Sequence, residues 1–290
     1  MKPLRVGFLL PRYSRESKSQ MPQVMRRLSD RGVLVDIIHP ADRIVELSTL
    51  RVEHDLYVLK KTTGFALSIA GALHAQGAAI VNPYPVMVAL RDKIICARIL
   101  QAAGIPVPAT YVVSHPAELA PLLDNGPIVV KPYQGTCGFG VRVVRAASDL
   151  AAMPPPINKE PVLAQRYHPP HGRDRKIYAI GGRLFGVKKV FPAVTEDEKY
   201  GEPFVPAPEL CDLALRCGAA FGIDLYGVDI IESDGQPYVV DMSSIPGFKG
   251  VPDACSHLAK YFHEAAQRAA LTRRPREAAA AEVTRRANVT

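Results

Sequence analysis

Missing from these 290 residues is any apolar run approaching the roughly 20 residues that cross a bilayer, so a soluble chain without a membrane partner is expected. A C-x-x-C pair is missing too. The five cysteines (Cys96, Cys137, Cys211, Cys217 and Cys255) are odd in number, which argues against both a disulfide framework and a zinc site and favours a reducing cytoplasm. At the N-terminus, Lys2 and Arg5 precede only the short apolar run Val6 to Leu10, closed by Pro11 and Arg12, so no secretory h-region forms. There is no internal repeat, and low complexity is confined to the tail. The net charge of +8 loses its meaning as a nucleic-acid signal once located: residues 268–290 hold six arginines against two glutamates, which is half of it. What remains is a hydrophobic content of 48% in a chain long enough to bury one large core or two to three smaller ones.

Strand and helix patterns alternate through the first 84 residues. Leu4 to Leu10, Val33 to Ile38, Asp55 to Leu59 and Ala78 to Val81 read as apolar strands, with helical spacing over Gln20 to Asp30 and Phe65 to Gln76, so an open, mostly parallel α/β domain is expected. Asn82-Pro83-Tyr84-Pro85 marks its end. One long helix is predicted over Val86 to Ala103. Short strands then dominate with few helices between them: Thr110 to Val113, Ile128 to Pro132, Val141 to Val144, Val162 to Tyr167, Lys176 to Ile180, Leu184 to Val190, Tyr226 to Ile231 and Tyr238 to Asp241. This part reads as α+β, with hairpins at Gly181-Gly182 and Asp234-Gly235, whose residues tolerate positive φ. The Ala- and Arg-rich stretch 271–290 reads as a disordered basic tail.

Three features carry chemistry. The stretch Gln134 to Gly140, preceded by Lys131, has the glycines that let backbone N–H groups approach phosphate oxygens, yet it fits equally a glycine hairpin loop. Asp229 and Asp241 lie in neighbouring apolar strands, where burying a lone anion costs several kcal/mol. Hard oxygen ligands of that kind suit Mg²⁺; simple pairing with Lys or Arg is the other reading. Lys93, Lys176, Lys188 and Lys189 each sit in or beside an apolar segment, where a triphosphate or a snorkelling stem would place them.

In order, Arg91-Asp92-Lys93, Ile128-Val129-Val130-Lys131-Pro132, the glycine stretch, Gln165-Arg166-Tyr167-His168, Asp174-Arg175-Lys176, Gly227-Val228-Asp229 and the run Asp241 to Phe248 resemble the ATP-grasp superfamily over Val86 to Ala270. Two branches are similar: the amino-acid ligases typified by ribosomal S6 glutamate ligases, and the inositol trisphosphate 5/6-kinases. The resemblance implies an ATP-grasp domain over 85–270, its central lobe about 105–165 and its C-terminal lobe about 166–270, clasping ATP after the N-terminal domain 1–84. By position, Lys93 and Lys131 match lysines on the ATP phosphates. Gly135, Thr136, Gly138 and Gly140 match a phosphate cover, and Gln165, Arg166 and Tyr167 match a segment whose backbone meets adenine. Asp229 and Asp241 match Mg²⁺ ligands. The family's third ligand is usually Asn, and Ser243 stands there. Lys176 and Lys189 match basic residues that would act on the transferring phosphate.

An acceptor oxygen attacking the γ-phosphorus is common to both branches. A ligase uses a carboxylate, makes an acylphosphate and then admits an amine. A kinase uses a hydroxyl of a polyol or inositol phosphate and stops. The ligase is the leading expectation, the kinase its alternative, and a catalytically weak nucleotide-binding protein the third. Lys60, His171 and Lys249 are the candidate contacts to a small-molecule or peptide acceptor, and the resemblance is compatible with a homo-oligomer.

Overall fold

In the computed structural model, which describes residues 2–14, 17–42, 44–60, 64–134, 140–156, 159–191 and 195–287, four parallel strands organise the first unit, Met1–Pro85 with Asp253–Thr290. They are β1 (Arg5–Leu9), β2 (Leu34–Ile38), β3 (Leu56–Leu59) and β4 (Ile80–Val81), in the order β2-β1-β3-β4. The central pair is buried almost throughout, as strands covered on both faces must be. Helix α1 (Met21–Ser29) buries Met21, Val24, Met25 and Leu28, the stripe that 3.6 residues per turn brings to one side. Helix α2 (Gly64–Ala75) follows β3.

The second unit, Val86–Pro252, is taken by itself. Where the apolar spacing predicted one helix, there are two: α3 (Tyr84–Arg91) and α4 (Lys93–Ala102). Asp92 between them is extended and its carboxylate accepts from the N–H groups of Ile94 and Ile95 (2.9 and 3.2 Å), an N-cap that restarts the helix. Strands β5 (Thr110–Val113), β6 (Ile128–Pro132), β7 (Arg142–Val144) and β8 (Val162–Arg166) form an antiparallel sheet in the order β5-β8-β6-β7. A 3-10 helix, Pro116–Asn125, and the short α5 (Ala147–Ala151) cover its inner face through Leu119 and Leu150.

A larger antiparallel sheet runs β11-β10-β9-β12-β13, built from β9 (Asp174–Ile180), β10 (Arg183–Lys189), β11 (Glu202–Phe204), β12 (Leu225–Ser233) and β13 (Gln236–Ser243). Both hairpin turns are where the glycines indicated them, with positive φ at Gly181, Gly182, Asp234 and Gly235. Between β10 and β11 lies α6 (Glu196–Tyr200). Helix α7 (Pro208–Phe221) was not foreseen; it buries Leu210, Leu213, Ala214, Cys217 and Phe221 against Ile177, Val228 and Ile230, and stops at Gly222 in the left-handed region.

After Pro252 the chain returns to the first unit. Helix α8 (Ala254–Ala287) packs on α1 and β3, with Phe262 set edge-on to Phe8 at 5.9 Å. This changes two expectations. The residues after Asp253 group with the first unit although they were assigned to the ATP-grasp region up to 270. Residues 271–287 of the stretch taken for a disordered tail continue α8, because Ala, Arg and Glu are among the strongest helix formers. Among the described residues no helix is long and apolar enough to cross a membrane.

Candidate active site

The large sheet separates its side chains by chemistry. Residues paired across antiparallel strands share a face, and alternate residues share it along a strand. Ile177, Ala179, Val228, Ile230 and Met242 therefore face the core with α7. The opposite face carries Asp174 and Lys176 from β9, Lys189 from β10, Asp229 from β12, and Asp241 and Ser243 from β13. Lys188 has the other parity and lies over the Phe204 ring, 5.8 Å from its centre, away from these groups.

Asp229 and Asp241 stand directly opposite one another. Each is held by a lysine. The Lys176 ammonium donates to both Asp229 oxygens at 2.7 Å, and Lys93, at the first turn of α4, donates to Asp241 at 2.7 Å. Burial works against the Lys176 charge, but the Asp229 carboxylate outweighs it and the pKa is raised. Two carboxylates facing each other across a strand pair fit Mg²⁺, which takes one or two protein carboxylates and fills its shell with water and phosphate oxygens. Among the described residues no third acidic, His or Cys group joins them. The Ser243 hydroxyl is at hand, at 3.5 Å from the Gly227 carbonyl.

Gly227 is paired with Ser243, and a Cβ there would fall 3.0 Å from Pro246 Cγ and 3.3 Å from Lys176 Cε, so a side chain there would press on both. Beyond Asp229 the ladder skips a residue: Asp229 pairs Asp241, yet Ile230 pairs Val239. Val240 is the bulged residue. Its carbonyl accepts from Lys131 at 3.1 Å, and the Lys131 ammonium also donates to Gln165 Oε1 at 2.6 Å. Gln165 is fixed in turn by donating to Thr110 Oγ1 at 3.2 Å. Burial pulls the Lys131 pKa down to about 8 although Asp241 is near. A cavity lies between Lys93, Cys96 and Leu100 of α4, Lys131 and Leu163 of the smaller sheet, and Asp241. It joins an apolar wall to two ammonium groups.

The remaining residues fall into place differently. Lys189, expected at the transferring phosphate, donates instead to the backbone carbonyls of Lys199, Tyr200 (2.8 Å) and Lys249 (3.1 Å). The Arg166 side chain holds the carbonyls of Leu122 (3.1 Å), Gly126 (2.6 Å) and Pro127 (3.2 Å). The N–H groups of Arg166 and Tyr167 are used by Ala109 and Pro127, so adenine would meet this segment through other backbone groups, and the Tyr167 ring lies under Arg145 at 5.4 Å. Gly140 has φ 78 and a Cβ there would meet Pro132 at 2.8 Å. Gly135, Thr136 and Gly138 lie outside the described residues. His171 is exposed, its N–H on the Glu232 carbonyl at 2.7 Å, and Lys249 lies over the Tyr200 ring at 5.4 Å. Lys60 follows β3 in the first unit.

Sequence reasoning passed over Asp174. Its carboxylate makes no hydrogen bond or ion pair among the described residues, and burial together with Asp229 raises its pKa to about 6. Only its place two residues before Lys176, and hence on the same face, pointed to it.

Residues 90–261 match the RimK-like ATP-grasp domain. The coenzyme gamma-F420-2:alpha-L-glutamate ligase of Methanococcus maripaludis is 26% identical over 204 residues, covering 66% of this chain and 72% of that protein. Among solved structures, the D-cycloserine synthetase DcsG superposes with a TM-score of 0.70 at 20% identity, over 91% of this chain and 99% of that one. The ATP-grasp ligase PsnB, complexed with minimal precursor, Mg and ADP, gives 0.68 at 18% identity, over 92% and 99%. At those identities the two structures speak for the fold.

Proposed function

Because the chain belongs to the RimK-like ATP-grasp family, we propose that it is an ATP-dependent carboxylate–amine ligase acting on a small-molecule or peptide acceptor. The observation that carries this is the opposed pair Asp229 and Asp241, ringed by Lys93, Lys131 and Lys176 at the mouth of an apolar cavity. The match to a relative named as a glutamate ligase favours the carboxylate–amine chemistry over the kinase.

In this reading the cavity takes the adenine, and Lys93 and Lys131 meet phosphate oxygens, with Gln165 aiming Lys131. The stretch with Gly135, Thr136, Gly138 and Gly140 covers the phosphates, and Asp229 and Asp241 hold Mg²⁺ with Ser243 beside them. Mg²⁺, when held there, would supply charge that neutralises phosphate oxygens. Lys176, paired with Asp229 on the same face, would bring positive charge to the transferring phosphoryl group. The acceptor carboxylate attacks the γ-phosphorus and ADP leaves; the amine then attacks the acyl carbon, loses a proton, and phosphate leaves. The unpaired Asp174 carboxylate offers an acceptor for a ligand hydroxyl or ammonium. His171 and Lys249 are proposed on the acceptor side.

The test is Mg²⁺-dependent ADP release across panels of carboxylates and amines. Release that requires both supports the ligase. A phosphorylated polyol with no amine requirement would replace it with the kinase, and tight ATP binding without turnover in any mixture would leave a nucleotide-binding protein.

A further inference from the structure

Lys189 lies on the polar face of the large sheet, yet none of its three N–H donors is turned to the carboxylates. An ammonium has three donors and no acceptor, and this one meets three backbone carbonyls: Lys199 and Tyr200 at the end of α6, and Lys249. The first two are among the carbonyls that a helix end leaves without intrahelical partners and that attract a cation. The third belongs to the segment after β13. That segment crosses the sheet like a strap. Pro246 lies over Gly227 of β12, Phe248 packs on Tyr178 of β9 with ring centres 5.4 Å apart, and a Cβ at Gly250 would fall 2.8 Å from Val187 of β10. The strap begins at Ser244, one residue past Ser243, and so forms one wall of the polar face.

We propose that Lys189 is a positioning residue: it pins the strap, residues 244–250, and the end of α6 to β10, and so sets the wall against which acceptor and amine lie. The substrate side of this rests on the ligase reading. A phosphate-contacting lysine would keep donors free for the nucleotide, whereas here all of them are committed to the main chain. Burial also lowers the Lys189 pKa to about 8, the more so with Lys176 nearby, as a desolvated ammonium without a carboxylate partner should show.

The experiment uses the full chain carrying Lys189→Met, Lys189→Gln or Lys189→Arg. Three quantities are read: KM for acceptor and amine against KM for ATP, affinity for Mg-ADP by calorimetry, and hydrogen exchange over 196–201 and 244–250. Losing a charge-assisted contact at the wall should raise the acceptor KM about tenfold or more. Mg-ADP affinity should stay within about twofold, exchange in both segments should quicken, and Lys189→Arg should recover part of the loss. A tenfold fall in Mg-ADP affinity with exchange unchanged would make Lys189 a phosphate contact and overturn the proposal, as would unchanged exchange with unchanged KM. Should no carboxylate–amine pair turn over in the parent chain, the ligase reading falls, while calorimetry and exchange still decide what Lys189 does. Lys189→Gln keeps a donor and serves where Lys189→Met does not fold.

Discussion

Replacing Asp174 by Asn should make the protein more stable, and only above a certain pH. In the fold the carboxyl is raised from its ordinary 3.8 to about 6, by burial first and by Asp229 second. An acid whose pKa is higher when folded binds its proton more tightly in the folded state. Stability is therefore unaffected below pH 3.8, falls as the pH climbs towards 6, and stays lowered above it. At ~1.4 kcal/mol per pH unit the full cost is about 3 kcal/mol, and about 1–3 kcal/mol once local relaxation is allowed for. Asn keeps the shape without the charge. Urea unfolding followed by circular dichroism, since the chain has no tryptophan, should show Asp174→Asn more stable by that amount at pH 7.5 and equal to the parent at pH 3.5. Turnover should fall in the same variant, because a charge kept at a cost to stability is kept for a ligand. Equal or lower stability of Asp174→Asn at pH 7.5 would refute this account of the electrostatics.

Three further outcomes follow from the site. Asp229→Asn and Asp241→Asn should each lower Mg²⁺-dependent ADP release by about 100-fold or more while circular dichroism stays native, the scale on which charge stabilisation counts in a transition state; near-normal rates in both would end the metal assignment. Ser243→Asn should hold or raise the rate at limiting Mg²⁺, an amide carbonyl being the better hard ligand, and a severe loss in a folded protein would give the hydroxyl another task. Gly227→Ala should cost about 1–3 kcal/mol in urea unfolding, because the new methyl meets Pro246 and Lys176, and a neutral result would mean that the strap gives way freely.

The strands were legible as short apolar runs, and Ile128–Pro132 and Thr110–Val113 lie where those runs put them. Asp229 and Asp241 were legible for the opposite reason: charge is conspicuous in an apolar strand. Helix α7 was not, since Pro208 to Phe221 mixes Glu, Asp and Arg among apolar residues and its stripe shows only against the sheet it covers. The end of α3 was hidden because apolar spacing runs on past Asp92 while the break is made by one side chain folding back on the backbone. The side-chain partners of Arg166 and Lys189 were hidden for a shared cause. A basic residue in a motif looks free in sequence, and only the fold reveals which carbonyls it holds.

The skipped residue in β13 acts as an insertion built into the protein. Removing Val240 would restore an even ladder and keep the pairs on either side of it, Asp229 with Asp241 and Ile230 with Val239. Val239 would stay in the core, and what would go is the carbonyl that Lys131 reaches. In a scan of single-residue deletions along Gln236–Ser243, the one at Val240 should therefore disturb folding least. The irregularity is thus the coordinate from which the smaller sheet's lysine is measured against the two aspartates.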